Sequence, residues 1–443
     1  LTGRARSAIW GVIEPLTHTA AVNASLDEWV EREAIPFSLD SGEGFDLAVD
    51  RAVVSMGDSV ELLGLGEALH GGEEILVLRN RLFGRLVEAH GFSAIAVESS
   101  FSRGWLVNEY VCGGAGTYAD VRDAGFGHGF GRLEANRELV EWMRGYNSDP
   151  ARRVGVRFYG FDMPGVEAGP ASPREVLGFV LEYLASMDGE AARGHRERIE
   201  PHLGSDSDWE NPMVWREPAK SGAMLASLAA LRVETEELIS TLRTGRPGWV
   251  AGSDEGRYRE ALHYGSVARQ LLNFFAALAG GADYAASLGV RDAMMADNLE
   301  YIVSRERGRG KVLAFAHNKH LQRGKAQWRI GPGVCAWWPA GSHLHEIFGP
   351  RYAVIGSAVG VSEDNGIGRP EEGTLEARLT GAPGPARLIP TLGGRGCSGT
   401  LPVRPGSAKN PTYFPLTAES LTDFDWLVAL DSVVYNRGGR PLP

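Results

Sequence analysis

Residues 61–99 read ELLGLGEALHGGEEILVLRNRLFGRLVEAHGFSAIAVES. Two near-continuous apolar runs, 61–67 and 93–99, flank a segment whose Ile75, Leu78, Leu82, Leu86 and Val87 recur at helical spacing. A strand covered on both faces is apolar throughout, so this succession predicts two strands joined by a crossover helix. Runs of the same kind occur at 155–162 (GVRFYGFD), 311–317 (KVLAFAH), 352–358 (YAVIGSA) and 426–433 (WLVALDSV), and 134–146 (EANRELVEWMRGY) reads as a further helix. The pattern predicts an α/β fold: a mixed, largely parallel sheet with helices on both faces.

The middle of the chain differs. Residues 173–300 hold long helical patterns such as AMLASLAALRVETEELISTLR and EALHYGSVARQLLNFFAALAG, and no strand pattern. The expected organisation is an α/β core built from 1–172 and 306–443, with 173–305 a large helical subdomain inserted in it and packed on the sheet. Residues 203–220 read as a loop within it, and the Gly- and Pro-rich 362–411 as a long surface excursion.

The formal charge of −11 over 443 residues disfavours non-specific binding to nucleic acid or anionic membrane and says nothing positive about a partner. No run reaches the roughly 18 apolar residues of a membrane span, and the leading LTGRARSAIWGVIEPLTH lacks the apolar centre of a secretory signal. Cys112, Cys335 and Cys397 form no CxxC spacing. They are expected as buried free thiols in a reducing, cytoplasmic setting.

Ligands of open α/β sheets sit beyond the carboxyl ends of the strands. Those ends carry Glu67 and His70, then Glu98, then Asp162, then His317 and His320. Each has an ordinary alternative: a strand-end histidine in a structural hydrogen bond, Glu98 paired with an arginine, Asp162 capping a helix. Together, several ionisable groups brought to one buried edge point to chemistry. His128, in the aromatic loop FGHGFG with Phe126, and Trp105 are candidates for the pocket wall. Trp337, Trp338, His343 and His345 are weaker ones, and His18, His90, His195, His202 and His263 read as structural or solvent-facing. No Gly-x-Ser-x-Gly elbow, dinucleotide fingerprint or Walker A run is present.

The stretch GEALHGGEEILVLRNRLFGRLVEAHGFSAIAVESSFSRGWLVNEYV at 66–111 resembles the erythromycin esterase family. So do YGFDMPG (159–165), RDAMMADNL (291–299), VLAFAHNKHLQ (312–322) and GSHLHEIFGPRYAVIG (341–356). The resemblance implies hydrolysis of a macrolide lactone, with His70 the base that activates water and Glu67 its motif partner. Glu98, Arg79, His317 and His320 match further catalytic positions, and Glu74 a position on the crossover helix. Two departures stand out. Leu69 occupies the place before the histidine where the family carries Thr or Ser, and 127–136 (GHGFGRLEAN) replaces a tryptophan-bearing region. They imply a different substrate, or a different acid–base reaction.

The mechanism expected is metal-independent general-base hydrolysis of a macrolide or other polyketide ester. His70 takes the proton from water, Glu67 or Glu98 orients its ring, and Arg79 or His317 and His320 stabilise the oxyanion. No cofactor is expected; a zinc hydroxide held by the same histidines and glutamates is the less favoured variant. The alternative function is a secondary-metabolite enzyme using the cluster for elimination, isomerisation or cyclisation. A pure binding protein fits less well, since its cleft would carry fewer ionisable groups.

Overall fold

The computed structural model describes residues 26–166, 169–211, 218–279, 284–330, 333–397 and 401–440; His18 lies outside them. The main sheet consists of β1 (Ile35–Phe37), β2 (Leu62–Glu67), β3 (Phe92–Ser100), β4 (Arg157–Asp162), β5 (Lys311–His317), β6 (Tyr352–Val361), β7 (Ala386–Pro390) and β8 (Trp426–Ser432). Their order across the sheet is β1-β7-β8-β6-β2-β5-β3-β4. All neighbours from β8 to β4 are parallel, and β1 and β7 are added antiparallel at one edge. The mixed, mainly parallel α/β fold is as the sequence predicts.

Side chains alternate across a strand, and here both faces are covered. Leu63, Leu65, Ile95, Val97, Leu313 and Phe315 pack in one core with Ile75, Leu78, Leu82 and Leu86 of the crossover helix Glu73–Ala89. That helix opens on Glu73 and Glu74, whose charges suit the positive end of its dipole. On the opposite face Leu62, Ala94, Ala96, Val312, Ala314 and Ala316 meet Val180, Leu271, Phe275, Met294 and Leu299 of the helical segment. The small alanines let the helix Tyr284–Glu306 lie close to β3, β4 and β5. Its last residue, Glu306, is fully buried and accepts hydrogen bonds from Ser93 Oγ (2.6 Å) and Tyr159 Oη (2.8 Å), tying helix to sheet.

Several expectations are corrected. The segment 362–411 is no mere surface excursion: it contains β7 and the helix Leu375–Gly381, and buries Asn365, Glu376, Arg387, Arg404 and Asn410. Strands β1 and β7 escape a pattern reading because each is short and interrupted, β1 by Pro36, as an edge strand permits, and β7 by the buried Arg387. Residues 206–210 of the presumed loop are a helix. The hairpin of Ala326–Ile330 and Gly333–Trp337 was likewise not anticipated. Cys112 is exposed and Cys335 half-buried, so neither is the buried thiol expected. No described helix is long and apolar enough to cross a membrane.

Candidate active site

The parallel strands deliver their last residues to one edge. Glu67 at the end of β2 stands in register with His317 at the end of β5, and Ser100 of β3 with Asp162 of β4. A register shift between Val97 and Ser100 re-aims β3 at Glu98, as bulges beside functional sites do. Gly66 is required by a close approach: a Cβ there would lie 2.2 Å from Asn318 Oδ1. Asn318 uses that space to cross to β6, donating to Ser357 O and accepting from Ser357 N. It thereby fixes the start of the short helix Asn318–Leu321, which carries His320.

His70 follows β2 in the turn that Gly71 completes with φ +111°. Its Nδ1 is 2.6 Å from Glu67 Oε1, and its Nε2 is 3.9 Å from Glu98 Oε1. The buried Glu67 carboxylate thus holds the ring by Nδ1–H and leaves Nε2 facing inward. The His70 amide donates to Thr412 Oγ1 (3.0 Å), and Asn410 Nδ2 donates to its carbonyl (2.7 Å). Burial opposes the imidazolium, but the charges of Glu67 and Glu98 outweigh it and raise the His70 pKa above its ordinary value.

Glu98 is buried and accepts from Arg291 Nη2 (2.8 Å) and the His317 amide (2.9 Å). His320 Nε2 stands 3.3 Å from the same carboxylate. Against the cost of burial, His320, His70 and Arg291 hold the Glu98 carboxyl well below the usual carboxylate range. Arg291 also donates Nε and Nη2 to the two oxygens of Asp162, at 2.8 and 2.6 Å. Asp162 lies 3.2 Å from His128 Nε2 as well, and these partners keep it ionised despite burial. His128 is the one non-glycine residue with positive φ (57°) among those described, a strained setting consistent with a functional loop. His320 Nδ1 is 2.8 Å from Asp292 Oδ1. Burial is overcome by Asp292 and Glu98, and the His320 pKa is pushed up to about 10, so this ring is a cation at neutral pH.

His317 is different in kind. Its Nδ1 accepts the Lys319 amide (3.0 Å), which leaves the proton on Nε2 to be donated to Thr412 O (2.9 Å). Burial and the neighbouring His70 depress its pKa well below the ordinary value. Both nitrogens are committed, so His317 braces the 410–414 segment rather than offering a proton or a charge.

A cavity of about 360 Å³ opens over these groups. His70, Glu98, His128, Arg291, His317 and His320 reach it, and Phe130, Tyr284, Leu288, Trp328, Trp337 and Phe414 give it an apolar wall. Other expected residues lie outside this cavity, Arg79 and Phe126 on a second, narrow pocket that they line with Glu67, His70 and Glu98. Arg79 is buried behind Glu67, bonded to Asn80 and to Ala135 O over the Phe315 ring, and burial lowers its pKa to about 10. Phe126 is packed beside Phe158 in the core beneath the site. Glu74 accepts the Val434 amide (2.7 Å) away from the cavity. Trp105 and Trp338 are both 54% exposed outside it, and His343 and His345 lie on the helix Ala340–Phe348 without reaching it. Leu69 is fully buried in the core, and Thr412 supplies the hydroxyl that meets His70. Among the other histidines, His90 pairs with Asp50, while His263 stacks on Tyr301 and burial lowers its pKa to about 4.

Arg291, Asp292 and Thr412 were not singled out from the sequence. Arg291 and Asp292 open the run RDAMMADNL, but a helix start rich in charge has the same appearance. Glu67, His70 and Glu98 present ligand atoms within 4.8 Å of one another, the one such group among the described residues. A dication there would compete with Arg291 and His320 for Glu98.

A family model described as Erythromycin esterase matches residues 87–433. The erythromycin esterase type II of Escherichia coli is 24% identical over 381 residues, covering 80% of this chain and 86% of that protein. A crystal structure of a Bacillus cereus protein aligns with TM-score 0.70 at 18% identity, over 94% of this chain and 98% of the other. The erythromycin esterase EreC, as a mutant in its open conformation, aligns with TM-score 0.59 at 20% identity, over 88% and 94% of the two chains. Strand-end motifs, fold and family match agree, and this chain belongs to the erythromycin esterase family.

Proposed function

We propose that the chain hydrolyses an ester or lactone of a macrolide or other polyketide, with His70 as general base. The observation that carries this reading is the orientation of His70: Nδ1 anchored on Glu67 at 2.6 Å, Nε2 turned inward at 3.9 Å from Glu98. A water at Nε2 loses its proton to His70 as its oxygen attacks the ester carbon, and Glu67 stabilises the imidazolium that forms. Arg291 and the cationic His320 line the same cavity and stabilise the charge developing on the carbonyl oxygen. The imidazolium then returns its proton to the leaving alkoxide. Glu98 holds those cations in place, which favours a metal-independent route over one in which a dication takes the same carboxylate. Antibiotic resistance or secondary metabolism inside the cell is the setting this reading implies.

The experiment is incubation of wild type and His70→Gln with a panel of macrolides and other polyketide lactones in water labelled with heavy oxygen. Product that gains one labelled oxygen, dependent on His70, is expected. Turnover without incorporation would instead establish elimination, isomerisation or cyclisation.

A further inference from the structure

Three cations face the cavity: Arg291, His320 and Lys319. The first two are neutralised from behind, Arg291 by Asp162 and Glu98, His320 by Asp292 and Glu98. Lys319 is not. Among the described residues its half-buried ammonium makes no hydrogen bond and no ion pair, and the Phe414 ring centre lies 6.0 Å from Nζ. Asp423 and Glu419 act on it only at a distance, and burial depresses its pKa. A lysine stem with apolar surroundings normally carries its charge out to water. Here the charge is turned to a cavity walled by Tyr284, Trp328 and Phe414, whose rings follow one another at 6.1 and 5.9 Å.

We propose that the cavity selects an apolar substrate bearing a carboxylate, which Lys319 pairs while Tyr284, Trp328 and Phe414 cover its apolar body. This deepens the reading of the cavity as the substrate site and rests on it. An acidic ligand supplies the contact partner that Asp423 and Glu419, acting only at a distance, do not, and the pairing is strengthened by partial exclusion of water. The same ammonium repels an amine-bearing ligand, so it discriminates as well as attracts.

The test is calorimetric titration with a matched pair, phenylhexanoate and the uncharged phenylhexanamide, against wild type, Lys319→Met and Lys319→Arg. The acid should bind wild type about tenfold or more tightly than the amide, the gain expected of a shielded charge-assisted pair. Lys319→Met should abolish the preference, and Lys319→Arg should keep most of it, which separates loss of charge from loss of fold. Equal binding of acid and amide by wild type, binding of neither, or a preference that survives Lys319→Met would overturn the proposal. A Lys319-dependent preference in a protein that hydrolyses no ester would leave this inference standing and remove the hydrolase reading.

Discussion

Glu67 Oε1 and His70 Nδ1 are 2.6 Å apart, three residues apart in sequence, at the point where β2 gives way to a glycine turn. The pair couples the proton affinity of the ring to a buried carboxylate.

A base acts only when unprotonated, so a raised His70 pKa moves the acid limb of the activity profile upward. The kcat/KM profile of wild type should therefore rise through a midpoint above the ordinary imidazole value. Glu67→Gln should shift that midpoint down and lower kcat by roughly 10²-fold, within the range usual for acid–base partners. His70→Gln should cost at least about 10³-fold. An unshifted limb in Glu67→Gln would show that another group sets the profile.

Arg291 neutralises two buried carboxylates at once. Arg291→Ala should destabilise the fold by about 3–5 kcal/mol, because Glu98 and Asp162 are left without a partner. Arg291→Lys should recover little, since an ammonium cannot serve both acids with the same planar fork. Urea unfolding of the two variants measures this directly.

The His320–Asp292 pair makes stability fall at high pH. The folded pKa of His320, about 10, lies above its unfolded value of 6.5, so the stabilisation is complete below 6.5 and is lost as pH rises toward 10. Melting temperature measured across that window should drop in wild type and be flatter in His320→Gln. Parallel curves for the two proteins would mean that His320 carries no such charge.

Gly66→Ala should disturb the site from outside the cavity. The added methyl would meet Asn318 Oδ1 at 2.2 Å, displacing the residue between His317 and His320. Activity should fall at least tenfold with a stability loss of about 1–3 kcal/mol, typical of overpacking. Retained kcat in a folded variant would show that Asn318 does not set the position of the histidines.

Chelation separates the base mechanism from a zinc hydroxide at Glu67, His70 and Glu98. Activity is expected to persist after exhaustive dialysis against a chelator, with elemental analysis confirming metal-free protein. Loss of activity restored by zinc would assign those three residues as ligands instead.

Much of this was legible before any coordinates. Strands β2 to β6 and β8 are apolar because both faces of the sheet are covered, and that requirement writes itself into every residue of the strand. The same topology brings Glu67, His70, Glu98, Asp162, His317 and His320 to one edge. Strands β1 and β7 left no such trace, since three to five residues, broken by Pro36 and Arg387, are too short a run to show a pattern.

The sequence by itself determined the parallel strands of the sheet, the edge at which the candidate site lies and the residue types gathered there. Which of the strand-end groups act together was decided by the tertiary structure alone. Arg291 arrives from the helical segment and lies 193 residues from Glu98 in the chain, and Thr412 lies 342 from His70. Glu74 sits on the crossover helix but faces the chain's final segment, and Arg79 lines a second, narrow pocket beside Glu67, His70 and Glu98 instead of the main cavity. Periodicity is a local property, set by the burial of one element, whereas the pairing of charges depends on distances between elements. Only packing fixes those distances, and with them which histidine is held by Glu67, which stands between Asp292 and Glu98, and which braces Thr412.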